Sequence, residues 1–364
     1  MAEHLDLVTS TYNGNSFYNR SQHHYSRKVS TVLSNIYRQK KVVLVPSGMA
    51  AISTVFNITN IKNSWARYNM VYGSELYCDT PRTIKYMSEH YNKAKLFKID
   101  ISNDSDVLSV FNTKIDKSLP TVLFIESCSN PSGYIFNFDL INEIRSKNKD
   151  LTIIVDNTWV TGTIFNPFDF KVDFVVVSLT KYYSAGSCIA GAIIGNDKNP
   201  LMDEVIKFTT VMGLHVSPYN CKLIFKKISD GLFRRVNQSY QLTLVIAKFL
   251  QENGIDVTFV GLTDHPSNHL LDKYFKNIGP SVLTFTVNKS KDEVIKWLKT
   301  SEYFPYETSF GSKYSKFDPW PQKITNTKTK IRFAVGYGDN YKHITTKFQK
   351  MFNITDNKAK SIQV

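Results

Sequence analysis

The chain has 364 residues, 42% of them hydrophobic and 21% charged, a balance typical of globular proteins and long enough for two domains. No apolar run approaches the length of a membrane-spanning helix, and the N-terminal MAEHLDLVTSTYNGNS lacks the basic and apolar regions of a secretory leader, so a cytoplasmic protein away from the membrane is expected. The formal charge of +14 is spread over lysines scattered among Asn, Ile, Tyr and Phe, with no basic block and no zinc-finger or RNA-binding signature, which reads as a solvated surface rather than a nucleic-acid site.

Residues 1–30 are polar and aromatic without periodicity, and read as an extended arm that frays or packs on another subunit. Tyr25-Ser26-Arg27 lies within it. From Lys41 the character changes. KVVLV is a short strand, and PSGMAAISTVF follows, with Ser47-Gly48 opening a helix. Glycine there lets the backbone approach a ligand, and the free N–H groups of a helix start attract anions. An ordinary capped turn is the alternative. Strand and helix then alternate: Arg67 to Val71, a helix near Thr83 to Tyr91, Lys95 to Lys98, a helix over Asp104 to Asn112, Thr121 to Ile125, and a helix over Phe138 to Ser146. Such alternation means a parallel sheet covered by helices on both faces. The four cysteines, Cys78, Cys128, Cys188 and Cys221, are far apart with no C-x-x-C, which suits free thiols in a reducing compartment. His265 and His269 flank a proline in HPSNH, a turn rather than a metal site, and no metal is expected.

The segment LTIIVDNTWVTGTIFNPFDFKVDFVVVSLTKYYSAGS organises the rest. Two short β-branched runs end in Asp156 and in Ser178-Leu179-Thr180-Lys181, and open α/β sheets bind ligands beyond such strand ends. Ser47-Gly48, Tyr77, Asn130, Asp156 and Lys181 all fall at the C-terminal ends of predicted strands, so they share one rim. An Asp, a Ser/Thr pair and a Lys there suit an aromatic, phosphorylated aldehyde: Lys for the Schiff base, Asp for a pyridinium nitrogen, hydroxyls for phosphate. A buried sheet with a surface lysine is the alternative for this segment alone. Cys188 to Ile194 is a further buried strand, and Asn199 to about Phe249 is helical with breaks near Gly213 and Pro218. The turn in DGLFRR marks a domain boundary, which divides the chain into an arm over 1–30, a large α/β domain over 31–230 and an α+β domain over 231–364. In the last domain, helices are predicted over Gln241 to Glu252 and Asp292 to Lys299, and strands over Ser281 to Val287 and Ile331 to Val335.

Taken together, these motifs resemble the Cys/Met-metabolism enzymes dependent on pyridoxal 5′-phosphate, the trans-sulfuration group of cystathionine γ-synthases, cystathionine lyases, methionine γ-lyases and homoserine sulfhydrylases. The resemblance spans about Tyr25 to Asp339, with the motifs in the family's order. It implies an α/β fold of PLP fold type I, mostly parallel, with the smaller C-terminal domain. It also implies roles. Tyr25 and Arg27 would reach the cofactor phosphate of a neighbouring subunit, Arg27 by its planar fork. Ser47, Gly48 and Met49 would form the phosphate loop, joined by Ser178 and Thr180. Tyr77 would stack on the pyridine ring and move protons as a catalytic residue. Asn130, from ESCSNPSG, would stand near the ring hydroxyl and the substrate carboxylate. Asp156 would keep the ring nitrogen protonated, and Lys181 would carry the Schiff base and take the substrate α-proton. Ser309, from SFG, and Arg332, from IRFAVGYGD, would hold the amino-acid α-carboxylate. Homodimers or homotetramers with shared sites are the family habit.

Departures touch the distal substrate pocket. The family's Asn-Pro-Thr after Tyr-x-Arg is here KVST, its Gly-His after the lysine motif is Ala185-Gly186, and its SLGG-x-ESL is SFGSKYSK. The implied activity is β/γ-elimination on a sulfur amino acid, of cystathionine γ-lyase type. The alternatives are γ-replacement of the γ-synthase or sulfhydrylase kind, and a non-catalytic binding or assembly protein that keeps the fold.

Overall fold

The computed structural model describes residues 23–63, 66–92 and 94–354. The expected arm therefore lies outside the described residues up to position 22, and its remainder is not extended. Helix α1 spans His24–Tyr37. His23 and Ser26 form a reciprocal capping box, and Val29, Leu33 and Tyr37, four residues apart, are buried on one face. Tyr25 and Arg27 thus sit on the first turn of a helix, a correction to the extended reading. The signal was hidden because the cap is a histidine rather than Ser, Thr, Asp or Asn.

Two compact units divide the chain: one runs to Asn130 and resumes over Tyr134–Leu232, and the other takes Pro131–Gly133 and everything from Phe233. In the first unit the strands are β1 (Lys41–Val45), β2 (Asn69–Gly73), β3 (Lys95–Ile99), β4 (Thr121–Glu126), β5 (Leu151–Asp156), β6 (Phe174–Ser178) and β7 (Gly191–Gly195). Their order across the sheet is β1-β7-β6-β5-β4-β2-β3. From β2 to β6 the neighbours run parallel, as the alternation with helices implies. β7 runs antiparallel to both β6 and β1. The segment between β6 and β7 turns without a crossover helix, so the chain returns in the opposite direction. The expected strands at Arg67 and Cys188 begin later than read, at Asn69 and Gly191.

The helices of this unit after α1 are α2 (Gly48–Lys62), α3 (Asp79–Met87), α4 (Asp104–Ser109), α5 (Leu140–Lys147), α6 (Thr161–Ile164), α7 (Leu201–Val211) and α8 (Pro218–Ser229). β4 and β5 are buried at every position, as expected of central parallel strands that are mostly apolar, with Val122–Ile125 and Ile153–Val155 in their interiors. Ala51, Ile52, Val55 and Phe56 of α2 pack with Val122, Phe124, Ile154, Phe174 and Val176 of the sheet and with Met202 and Val205 of α7. Burying each of the large side chains contributes roughly 1.5–3 kcal/mol, so this core fixes where the strand ends fall.

The second unit contains α9 (Leu232–Glu252, from Phe233 onward), β8 (Asp256–Thr258), α10 (Asn268–Phe275), β9 (Val282–Val287), α11 (Lys291–Thr300), β10 (Lys316–Phe317), β11 (Gln322–Lys323), β12 (Thr329–Ala334) and α12 (Tyr341–Phe352). Its sheet is antiparallel, in the order β10-β12-β9-β8 with β11 also on β12. Phenylalanines form its centre: ring centroids of Phe333 lie 4.9 Å from those of Phe304 and Phe317 and 5.1 Å from that of Phe348. This is the smaller α+β body expected from the sequence. No helix among the described residues is long and apolar enough to cross a membrane.

Candidate active site

The sheet order itself assembles the first unit's candidate residues. Val45 and Ser178 both pair with Gly191, Val176 pairs with Asp156, and Asp156 pairs with Glu126. The chain leaving β1 leads to Ser47, that leaving β6 to Lys181, and that leaving β4 to Asn130. Adjacent strands are spaced about 4.8 Å apart, so these ends form one continuous rim. Two glycines let it close up. A Cβ on Gly48 would lie 2.8 Å from the Ser178 Cβ, and one on Gly191 would lie 2.2 Å from the Ser47 carbonyl oxygen. Ser47 caps α2: its hydroxyl accepts from the Ala50 N–H at 3.0 Å and its carbonyl from the Ala51 N–H at 3.1 Å. The amides of Gly48 and Met49 precede these, at the positive end of the helix, where an anion is favoured.

Asp156 ends β5 with 8% exposure. One carboxylate oxygen accepts from the Thr158 N–H at 2.9 Å. Burial raises its pKa from 3.8 to about 6, against the lowering effect of the Thr158 hydrogen bonds and of the Lys181 charge. A buried carboxylate in this state gains from a cationic N–H partner. Ser127, whose N–H donates to the Asp156 carbonyl at 2.9 Å, has a buried hydroxyl with no hydrogen-bond partner. The Thr158 hydroxyl accepts from the Ser178 N–H at 2.8 Å and so ties the ends of β5 and β6 together.

Lys181 follows β6 and is half-buried. Its turn is held from below. Tyr183 and Tyr37 are fully buried, with their hydroxyls 2.9 Å apart, and the Gly162 N–H donates to the Tyr183 hydroxyl at 3.2 Å. Burial pushes the Tyr183 phenol up to about 12 and the Tyr37 phenol well above its usual value, so both stay neutral. The Thr180 hydroxyl donates to the Ala190 carbonyl and accepts from the Ala190 N–H, both at 3.2 Å. Its single proton is thereby engaged, whereas Ser178 stands at the mouth of the turn.

Tyr77 lies beyond β2 and is 38% exposed. Its N–H donates to one oxygen of Glu126 at 2.5 Å, and the Trp159 indole N–H donates to the other at 2.8 Å. The Ser129 hydroxyl donates to Glu75 at 2.8 Å and accepts from the Tyr134 N–H at 3.0 Å, which fixes the turn that carries Asn130. Glu75 and Glu126 thus hold the Tyr77 and Asn130 loops. Neither is singled out by the sequence, although Glu126 opens the ESCSNPSG motif and Glu75 lies two residues before Tyr77; Thr158 and Gly191 carry no signal because they meet Ser178 and Ser47 only in the fold.

Tyr25 and Arg27 are placed on α1. The Tyr25 ring lies under the Lys28 and Lys222 ammonium groups at 5.7 and 5.8 Å, and the Arg27 N–H donates to the His23 carbonyl at 2.9 Å. Ser309 and Arg332 belong to the second unit. Ser309 has φ 93°, a left-handed backbone that strains a residue with a side chain. Arg332, on β12, pairs with the Asp318 carboxylate, and its guanidinium carbon lies 5.9 Å from the Phe310 ring centroid.

The chain matches the family model described as Cys/Met metabolism PLP-dependent enzyme over residues 2–345. It is 28% identical over 361 residues to a cystathionine beta-lyase of Schizosaccharomyces pombe, covering 98% of this chain and 86% of that protein. It is 24% identical to a cystathionine gamma-lyase of Saccharomyces cerevisiae, covering 81% and 73% of the two chains. A putative O-acetylhomoserine (thiol)-lyase from Campylobacter jejuni, solved with N′-pyridoxyl-lysine-5′-monophosphate, superposes with a TM-score of 0.78 at 24% identity, over 92% of this chain and 87% of that one. The residues at the rim fit this cofactor: a helix start for phosphate, a buried carboxylate at the end of β5, and a lysine in the turn that follows the adjoining strand β6. The chain therefore belongs to the Cys/Met metabolism PLP-dependent enzyme family, with the fold type I architecture and a pyridoxal 5′-phosphate cofactor.

Proposed function

We propose that this family member uses the rim of its first unit to break or exchange a carbon–sulfur bond in a sulfur amino acid. Membership makes it a PLP-dependent enzyme of trans-sulfuration type acting on a small amino-acid substrate. The observation that carries the site assignment is the buried Asp156 carboxylate, one strand away from the chain that leads to Lys181. Bound pyridoxal 5′-phosphate supplies an electron sink for the carbanion left when an amino acid loses its α-proton.

The chain's own residues divide the remaining tasks. The Gly48 and Met49 amides, with the Ser47 and Ser178 hydroxyls, hold the phosphate; Thr180 joins them once its proton leaves Ala190. Asp156 would hold a proton on the ring nitrogen, and Tyr77 would pack against the ring. Lys181 Nζ anchors the cofactor, then takes the substrate α-proton and relays it toward the leaving side. It acts on that proton as a neutral amine. Asn130, Ser309 and Arg332 orient the substrate carboxylate. Tyr25 and Arg27 complete a site in a homo-oligomer.

At the finer level, γ-elimination of the cystathionine γ-lyase kind and γ-replacement are both carried forward, joined by β-elimination. The curated relatives bear lyase names, whereas the solved homologue bears a thiol-lyase name on O-acetylhomoserine. A panel separates them: cystathionine alone, methionine alone, and O-acetylhomoserine with cysteine or sulfide. Keto acid, ammonia and thiol from cystathionine alone mark elimination, and the keto acid formed tells β from γ. A new thioether only when both partners are present marks replacement. No turnover on any of these by cofactor-loaded protein would remove the sulfur amino-acid reading.

A further inference from the structure

The second unit holds a carboxylate already seated on the arginine assigned to the substrate. Arg332 donates through one terminal nitrogen to Asp318, and the two side chains are 13% and 10% exposed. Asp318 is fixed by contacts other than that side chain. Its N–H donates to the Arg332 carbonyl at 3.0 Å, and one carboxylate oxygen accepts from the Trp320 N–H at 3.1 Å. The Thr308 hydroxyl approaches the other oxygen at 3.4 Å, and the Tyr306 hydroxyl donates to the next residue's carbonyl, Pro319, at 2.9 Å. A carboxylate pinned by its own loop does not follow a flexible side chain; the side chain comes to it. The Phe310 ring lies against the guanidinium, beside the strained Ser309.

We propose that Asp318 is a positioning residue that fixes the plane of the Arg332 guanidinium before an amino-acid carboxylate arrives. This rests on Arg332 being the group that binds the α-carboxylate. Arginine recognises carboxylates by a planar fork, and the recognition is strong only when that plane is set. A long side chain free to rotate loses that freedom on binding, and a guanidinium already held by Asp318 and Phe310 loses less. The five donors of one guanidinium can serve two carboxylates along different edges. The same geometry argues against simple competition, because Asp318 is anchored where it stands by its own backbone.

The test is a binding titration of cofactor-loaded protein, followed by the cofactor absorbance, with L-norleucine and L-norleucinamide. The native chain should favour the acid over the amide. Arg332→Ala should abolish that preference. Asp318→Ala should reduce it by about tenfold, the scale of one charge-assisted hydrogen bond, and Asp318→Asn, which keeps an acceptor oxygen, by less. Removing a negative charge would by itself favour the acid, so a lost preference reports orientation. If Arg332→Ala abolishes the preference while both Asp318 variants keep it, the positioning role is wrong and the Arg332 assignment stands. If the native chain shows no preference, or Arg332→Ala retains it, the Arg332 assignment fails and the inference with it. Tighter acid binding by Asp318→Ala would mean that Asp318 competes with the ligand, which also overturns the proposal. Should the alanine variant not fold, the asparagine variant decides.

Discussion

The Cβ that Gly48 lacks would stand 2.8 Å from the Cβ of Ser178 and 3.2 Å from its Cα. The start of α2 and the end of β6 therefore touch backbone to backbone, which places the helix amides beside the serine assigned to phosphate. Neither atom on Ser178 can swing away, so Gly48→Ala must shift the helix. Overpacking of this kind costs roughly 1–3 kcal/mol. The denaturation midpoint should fall, and cofactor affinity should fall further, because the displaced amides no longer point at the phosphate. An alanine variant with native stability and native cofactor affinity would contradict the close approach.

Asp156 gives a pH dependence with a definite sign. Its folded pKa, about 6, lies above the 3.8 of an exposed carboxyl, because burial penalises the charge. In the cofactor-free protein this group's contribution is fully present below about pH 3.8 and is lost as pH rises through about 6. Relative to Asp156→Asn, the native apoprotein should lose stability across that window. A bound pyridinium N–H reverses the preference by stabilising the carboxylate, so cofactor affinity should strengthen over the same window. Parallel stability curves for the two proteins would show that Asp156 does not titrate there.

Glu126 joins two loops with one carboxylate. A glutamine can accept from Tyr77 or from Trp159 but turns its amide toward the other donor. Losing one hydrogen bond to a charged group and leaving a buried N–H unmatched costs roughly 1.5–3 kcal/mol. Glu126→Gln should lower the urea midpoint and depress kcat more than cofactor affinity, since the Tyr77 loop shifts while the phosphate site stays. Equal losses in kcat and cofactor affinity would place Glu126 in the cofactor site itself.

Arg27 bears on assembly. If it completes a neighbour's phosphate site, Arg27→Ala should release cofactor about tenfold more readily, as expected for one lost charge-assisted contact, while Lys181 remains modified. Native cofactor loss should then also rise on dilution below the assembly constant. Retention that is unaffected by the substitution and by dilution would confine the site to a single chain.

Much of this site was legible because it lies where apolar runs stop. Leu151 to Asp156 and Phe174 to Ser178 are short and rich in β-branched residues, and each finishes with an apolar run, Ile153 to Val155 and Phe174 to Val177, that stops at a polar residue. Asp156 and Lys181 could be found that way, and so could the alternation that makes the sheet. The contacts of Glu126 and Thr158 could not, because each joins strands that meet only in the fold. Helix α1 was missed for a local reason: its cap is His23, and its buried face of Val29, Leu33 and Tyr37 is interleaved with polar residues. β10 and β11 are two residues each, too short to show alternation. The hairpin-like return of β7 depends on the turn after Lys181, whose sequence gives no crossover helix. The Asp318–Arg332 pair could not be read at all, since the arginine on β12 and the aspartate after β10 become neighbours only through strand pairing.

The most direct measurement is reductive trapping. Cofactor-loaded protein is treated with borohydride, digested, and mapped by mass spectrometry. A phosphopyridoxyl group is expected on the peptide containing Lys181, with its loss in Lys181→Ala and no transfer to another lysine. A modified peptide elsewhere in the chain, or trapping that survives Lys181→Ala, would contradict the assignment of the rim as the active site.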